Sequence, residues 1–343
     1  MAKTSTSWQS LIGHSRIEKW FEVAIRKQRL GGSFLFVGQN GIGKRTTALL
    51  LAQTLLCEKN DPSEMAPCGA CEACLQVTAR THPDVTRVGK PNDKSLIPLE
   101  LLIGPPESRM QEGFCRDIRM RPFRGRRRVG IIEDADFLNE EGANCLLKTL
   151  EEPPSGAVLI LIATSEQKQL PTIRSRCQTM RFQSLSPADA ARLIREVHEV
   201  EATDEKIAQA VEVAGGDMHV AVHLLSGEAD ELSNALQSEF GAKNPDPVAL
   251  GRIINSHVEQ SGKDASKRRA AMRDVFSFAI QFYRKQLKTE LLDRQLAARS
   301  MNRLDRSIRA LREVDRSANQ ATLIECYSAD IAAAVTADRG QIG

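Results

Sequence analysis

Seven residues constrain this chain more than any others: Gly38-Gln39-Asn40-Gly41-Ile42-Gly43-Lys44, standing between an apolar run and an amphipathic one. Ser33-Phe34-Leu35-Phe36-Val37 reads as a buried strand, and about Arg45 to Leu56 as a helix. A strand entering a helix through closely spaced glycines aims backbone N–H groups and the helix N-terminus at one point, where a lysine adds a cation. That pattern is the phosphate-binding P-loop, and it commits the chain to a parallel α/β sheet. Gly38, Gly41, Gly43 and Lys44 are the candidate nucleotide residues, with ATP as the implied ligand.

The rest of the first half keeps the same alternation. Val129-Gly130-Ile131-Ile132 reads as a second buried strand, closing on acidic residues. A helix opens near Asn139, carries Glu140 and Glu141 in its first turn, and places Ala143, Leu146, Leu147 and Leu150 on one face until Pro153-Pro154 stops it. Val158 to Ala163 is unbroken apolar sequence, the pattern of a central strand. Beyond about Phe182 the strands stop. Short helices run from Ser186-Pro187 to about Leu225, with Gly215-Gly216 between two of them. Gly241 to Pro247 reads as a linker, and Lys267 to Lys288 and Leu304 to Val335 as long amphipathic helical stretches.

A chain of 343 residues needs two or three domains. Its 47 basic and 44 acidic residues leave a net charge of only +3, which argues against a large stand-alone nucleic-acid surface. No window approaches an apolar membrane span, and Met1 to Ser7 lacks the apolar core of a signal peptide, so a cytoplasmic setting is expected. In that reducing compartment eight cysteines read as thiols or metal ligands, not disulfides. Cys57, Cys68, Cys71 and Cys74 form C-x10-C-x2-C-x2-C, four soft ligands suited to a closed tetrahedral Zn²⁺ site, although overlapping C-x2-C pairs could also serve redox chemistry. Cys115, Cys145, Cys177 and Cys326 read as scattered buried thiols.

The P-loop departs from a working pattern at its eighth position. Ser or Thr should stand there to ligate magnesium, and the residue is Arg45, a fixed cation that cannot ligate a metal. Thr46 comes one residue late, about 100° round the helix. The acidic pair after the second strand is Glu133-Asp134, the reverse of the Asp-then-Glu order that magnesium binding and water activation use. Together these changes make the P-loop a marker of fold before a nucleotide site, and speak against hydrolysis by this chain.

Asp134-Ala135-Asp136-Phe137-Leu138-Asn139-Glu140-Glu141, then Asn144 to Pro154, and Leu170-Pro171-Thr172-Ile173-Arg174-Ser175-Arg176-Cys177 resemble the bacterial clamp-loader subunits of DNA polymerase III, the γ/τ and δ′ family. The resemblance spans about residues 10 to 225. It implies an AAA+ P-loop α/β domain with a zinc-binding insert at 57–74 (residues 1–183), a small helical lid (184–228) and an all-α collar (229–343). In that family the arginine of Ser-Arg-Cys enters a neighbour's ATP site, which assigns Arg176 as an arginine finger acting in trans; an ordinary ion pair is the other reading. The lid arginine of the family's motors is replaced here by His219 in Gly216-Asp217-Met218-His219-Val220-Ala221. With Arg45, the Glu133-Asp134 order and His219 all weakening the chain's own site, the combination resembles δ′ more than γ/τ. The resemblance implies other clamp-loader subunits (the γ/τ motor and δ) as partners, and the sliding clamp and primer–template DNA through the assembled complex. A γ/τ-type motor that tolerates Arg45 and a zinc-stabilised interaction module stay open as alternatives. The run Arg119, Arg121, Arg124, Arg126, Arg127 and Arg128 is either a DNA-facing patch or a solvated loop, and Lys90 to Gly113, with four prolines, reads as an insertion.

Overall fold

A computed structural model describes residues 7–91, 94–124, 127–225, 228–262, 264–315 and 319–333. The chain divides into two compact units, Met1–His198 and Glu199–Gly343.

The first unit is a five-stranded parallel sheet: β1 (Gly32–Val37), β2 (Val85–Val88), β3 (Arg128–Ile132), β4 (Ala157–Ala163) and β5 (Gln178–Arg181), in the order β2-β3-β4-β1-β5. β3 and β4 are buried along their whole length and β1 at every residue after Gly32, which is why they are legible as apolar runs. β2 (Val-Thr-Arg-Val) and β5 (Gln-Thr-Met-Arg) are short edge strands, more polar and only partly buried, and carry no such signal. Among the described residues α1 (Ser15–Arg26) precedes the first strand, α2 (Lys44–Leu56), α3 (Glu72–Ala79), α4 (Leu99–Ile103), α5 (Phe114–Asp117), α6 (Glu140–Glu151) and α7 (Pro171–Arg174) join the strands, and α8 (Pro187–Glu196) follows the last. Asn139 caps α6 by accepting from the Gly142 N–H, and Ser186 caps α8 through Asp189, so both starts fall where the sequence places them.

Five of the chain's fifteen aromatics, Trp8, Trp20, Phe21, Phe34 and Phe36, stand at the start of this unit. The Trp8 indole donates to Thr54 Oγ1 on α2 at 2.8 Å, and Phe21 of α1 packs against Trp8, Trp20, Phe34 and Phe36. The segment Lys90 to Gly113, read as an insertion, packs into the sheet domain. Outside residues 92–93, which are not described, its Ile97, Leu102 and Ile103 lie in the main core beside Leu146 and Leu159.

The second unit is helical: α9 (Asp204–Val213), α10 (Met218–Leu225), α11 (Glu228–Gly241), α12 (Pro247–Gln260), α13 (Ala265–Glu290), α14 (Arg294–Asp315) and α15 (Gln320–Ala333). Its core joins Leu236 and Phe240 of α11 to Leu250 and Ile254 of α12, so the stretch from Gly241 to Pro247 is a turn inside one core and not a linker. The expected stretch Leu304 to Val335 holds the end of α14 and the whole of α15; Val335 lies outside the described residues. No helix among the described residues is long and apolar enough to cross a membrane.

Candidate functional site

β1 ends in the P-loop as expected. Gly43 caps α2 with φ +104°, and Gly38 lies so close to Phe182 that an added Cβ would meet its carbonyl oxygen at 2.6 Å. Lys44 is buried, and its ammonium donates to the carbonyl oxygens of Gly38 and Gln39. A residue the sequence did not single out braces the loop: His14, at the start of α1, donates from Nε2 to Ile42 O at 2.6 Å and packs edge-on against Phe182. Burial holds the His14 pKa below its ordinary value, keeping the ring neutral. Thr47, not Thr46, bonds back to Gly43 O at 2.9 Å; Thr46 is half-buried.

The acidic pair sits at the end of β3, and the protein neutralises it itself. Arg45 Nε lies 3.1 Å from Glu133 Oε2, and Arg45 Nη2 lies 2.9 Å from Asp134 Oδ1. Arg87, on β2, pairs with the other oxygen of Glu133. The Arg87 and Glu133 side chains are each 14% exposed, whereas Arg45 is 52% exposed and closes the group from outside. Two carboxylates thus meet two guanidiniums. The residues present do not fit Mg²⁺: the hydroxyl ligand is missing and both acids are ion-paired to a cation fixed in the first turn of α2. Arg87 could not be found from sequence because β2 is an edge strand without a clear pattern, and only the β2–β3 register brings Arg87 beside Glu133. Asp136 is a bracing residue, accepting from the Thr164 N–H at 2.6 Å and from Gln169 Nε2 at 2.9 Å.

Arg176 follows α7 and lies just before β5. Its guanidinium reaches Glu151 at 3.3 Å and the carbonyl oxygen of Thr172 at 3.2 Å. β5 pairs with β1 in parallel from Phe34↔Gln178 to Val37↔Arg181, so Arg176 precedes the first pair while the P-loop follows the last. At a strand rise of about 3.3 Å per residue β5 alone spans about 10 Å, and Arg176 sits in the turn before it, held by Glu151 at the end of α6, at the opposite end of the sheet from the P-loop. His219 is exposed in the second unit, and its backbone N–H donates to Asp217 Oδ1.

The four cysteines come together. α2 ends on Cys57, a short capped turn follows, and Cys71 caps α3 with Cys74 in its first turn. All four Sγ atoms lie within 4.8 Å of one another. Tetrahedral zinc at about 2.3 Å from sulfur requires separations of about 3.8 Å, within a small rotamer adjustment of this arrangement. Backbone N–H groups of Asn60 and Cys68 point at Cys57 Sγ, that of Cys71 at Cys68 Sγ, and that of Cys74 at Cys71 Sγ, at 3.2–3.4 Å. Such donors favour thiolates and, led by the Ala70 N–H, bring Cys68 down to about 6. Burial and the neighbouring Cys71 push Cys74 the other way. Four thiolates coexist here only around a cation, so the set fits a structural metal.

The other cysteines divide. Burial pushes Cys115 up to about 11 and Cys177 up to about 12, whereas Cys145 is half-buried and Cys326 is exposed, against the expectation of four buried thiols. The basic run is internal bracing over most of its length: Arg124 pairs with Glu58 and Glu72, Arg127 donates to Leu30 O, and Arg128 pairs with Asp84. Arg119 donates to Thr149 Oγ1, and Arg126 lies outside the described residues.

A parallel sheet in this order, with a P-loop after β1 and an acidic pair after β3, defines an AAA+-like α/β protein carrying a four-cysteine insert. The family model described as "DNA polymerase III, delta subunit" matches residues 13–186, just over half of the chain. The chain belongs to this family, that of the δ′ subunits within the clamp-loader γ/τ/δ′ group. It is 34% identical over 182 residues to DNA polymerase III subunit δ′ of Bacillus subtilis, covering 53% of this chain and 51% of that one. It is 30% identical over 235 residues to the γ/τ subunit of Mycobacterium bovis, covering 65% and 38%. The chain thus spans between about two fifths and one half of the length of these curated relatives. A DNA polymerase III γ-subunit-related protein of Thermotoga maritima is 18% identical, with a TM-score of 0.46 over 92% of this chain and 99% of that one.

Proposed function

We propose that this chain is a clamp-loader subunit of the δ′ kind, a stator that hydrolyses no ATP itself and presents Arg176 to the ATP site of a neighbouring motor subunit. The observation that carries this reading is the pairing of opposites within one domain. Arg45 is locked to Glu133 and Asp134 at the chain's own P-loop. Arg176 is too far down the sheet to serve that loop, so any phosphate it meets belongs to another chain. A planar, permanently charged group is the type that stabilises charge developing on a transferring phosphoryl group. Partners would be a γ/τ-type motor and a δ-type subunit, with the sliding clamp and primer–template DNA engaged through the assembly. Residues 184–228 would form the lid and 229–343 the ring-holding collar, in a cytoplasmic complex. Cys57, Cys68, Cys71 and Cys74 would hold Zn²⁺, whose role is to fasten α2 to α3.

Arg176→Ala tests the finger. In a loader reconstituted with its motor subunits, ATP turnover should fall by about 10³-fold or more, while the variant keeps its own thermal stability. An unchanged rate sinks the finger role and leaves an interaction module on an AAA+ scaffold. Turnover of Mg·ATP by the isolated chain would favour the motor reading instead.

A further inference from the structure

Outside the sites above, an open groove of about 510 Å³ lies between α1 and the sheet edge, lined by Arg16, Lys19, Trp20, Val23, Lys27 and Gln178, with Arg29 at its end. Positions 16, 19, 20, 23 and 27 recur at helical spacing and form one face of α1 running into the turn that follows. Every charged residue lining the groove is basic. Arg16, Lys19, Lys27 and Arg29 are exposed and make no ion pair with a described residue, whereas Arg26, on the neighbouring face, pairs with Glu22 at 2.9 Å. In a chain of 47 basic and 44 acidic residues, four unanswered cations around one groove are a local concentration of positive charge. Trp20 is half-buried among them. Its ring plane is fixed by edge-on contacts with Phe21 at 5.1 Å and Phe34 at 5.6 Å, so it is a rigid aromatic surface.

We propose that this groove binds single-stranded nucleic acid, its phosphates meeting Arg16, Lys19, Lys27 and Arg29 and a base stacking on Trp20. Cations that track a backbone, combined with an aromatic platform, are the two components of sequence-tolerant single-strand binding. From Arg16 to Lys27 the helix rises about 16 Å, a length that serves a few consecutive nucleotides. A duplex keeps its bases inside the stack and has no use for Trp20. An acidic peptide would satisfy the cations and likewise leave the aromatic surface without a partner of its own kind. The proposal is independent of the role given to Arg176, whose assay reads a different surface.

The test is a titration of the full chain with an oligothymidylate of about twelve nucleotides, at about 50 and 200 mM salt, following tryptophan emission. Of the two tryptophans, Trp8 is 1% exposed, so quenching reports Trp20. Saturable quenching is expected. Four single-strand phosphate contacts lower affinity about fiftyfold over that salt range. Charge reversal at the exposed positions, Lys19→Glu with Lys27→Glu, should weaken binding about tenfold or more without moving the thermal midpoint. Followed by the anisotropy of an end-labelled oligothymidylate, since these variants lack the reporting indole, Trp20→Phe should retain binding and Trp20→Ala should weaken it about tenfold or more. The proposal is overturned by no saturable binding at the lower salt, by equal affinity for a duplex of the same length, or by binding that leaves Trp20 emission unchanged. A polyglutamate peptide that quenches Trp20 where the oligonucleotide does not would reassign the groove to an acidic protein segment.

Discussion

The P-loop end of the sheet and the cysteine cluster lie at opposite ends of α2, and both are places where anionic side chains gather as if for a cation. They resolve the problem in opposite ways. At the N-terminal end of α2, Glu133 and Asp134 are neutralised from within by Arg45 and Arg87. At the C-terminal end, four thiols converge with backbone N–H groups aimed at their sulfurs. A covalently attached cation makes the first site independent of any ion, while the second is a ligand set that fits one. The motif at the first site records its ancestry, and the ligand set at the second records a need.

The comparison breaks most visibly at the cysteines. Cys74→Ser should abolish retained zinc and cost roughly 4 kcal/mol or more, because metal binding here is folding free energy; metal content and thermal unfolding read it. A parent chain that retains no metal and titrates four free thiols would remove the contrast altogether. Next in size is Arg87→Leu, which strips a mostly buried partner from Glu133. Destabilisation on the order of 2 kcal/mol is expected, less than a full broken pair since Arg45 remains. Denaturant unfolding measures it, and a neutral result would show that Arg45 alone neutralises the acids.

Arg45→Thr sharpens the comparison with a smaller change in stability, under about 1 kcal/mol for a half-exposed cation. Its informative effect is on ligands. The variant regains the hydroxyl and frees Asp134 and one oxygen of Glu133, which stays paired with Arg87, so a fluorescent ATP analogue should bind it more tightly with magnesium than without, whereas the parent shows no such dependence. If the variant stays inert, charge compensation is not what closes the site.

The smallest effect expected is a pH slope. Burial lowers the His14 pKa from its ordinary 6.5, so the unfolded chain takes up the proton first. The stability tied to neutral His14 is fully present above pH 6.5 and is lost as pH falls from there toward the lowered folded value. His82 is buried and lowered for the same reason and adds to the slope, having Nδ1 already committed to accepting from the Asp84 N–H. His14→Gln, whose amide can still donate to Ile42 O, should flatten the curve measured by thermal unfolding between pH 5 and 7. An unaltered slope would assign the acid sensitivity to His82 alone.

Much of this architecture was legible in the residues themselves. β1, β3 and β4 are apolar because they are covered on both faces, and the P-loop, the Asn139 and Ser186 caps and the cysteine spacing are local chemistry that nearest neighbours in sequence determine. The edge strands β2 and β5 escaped, since a strand exposed on one side has no need of an unbroken apolar run. With β2 went Arg87, and with the N-terminal segment went His14. The sequence alone determined that a P-loop sheet forms and that Arg45 stands where a metal ligand should. Only the tertiary structure decided that Arg45 closes on Glu133 and Asp134, that Arg87 completes the pairing, and that Arg176 is carried to the far end of the sheet from the P-loop. Those outcomes depend on strand order and register, which bring together residues separated by 46 and 89 positions, and no pattern of neighbours in a chain encodes such distances.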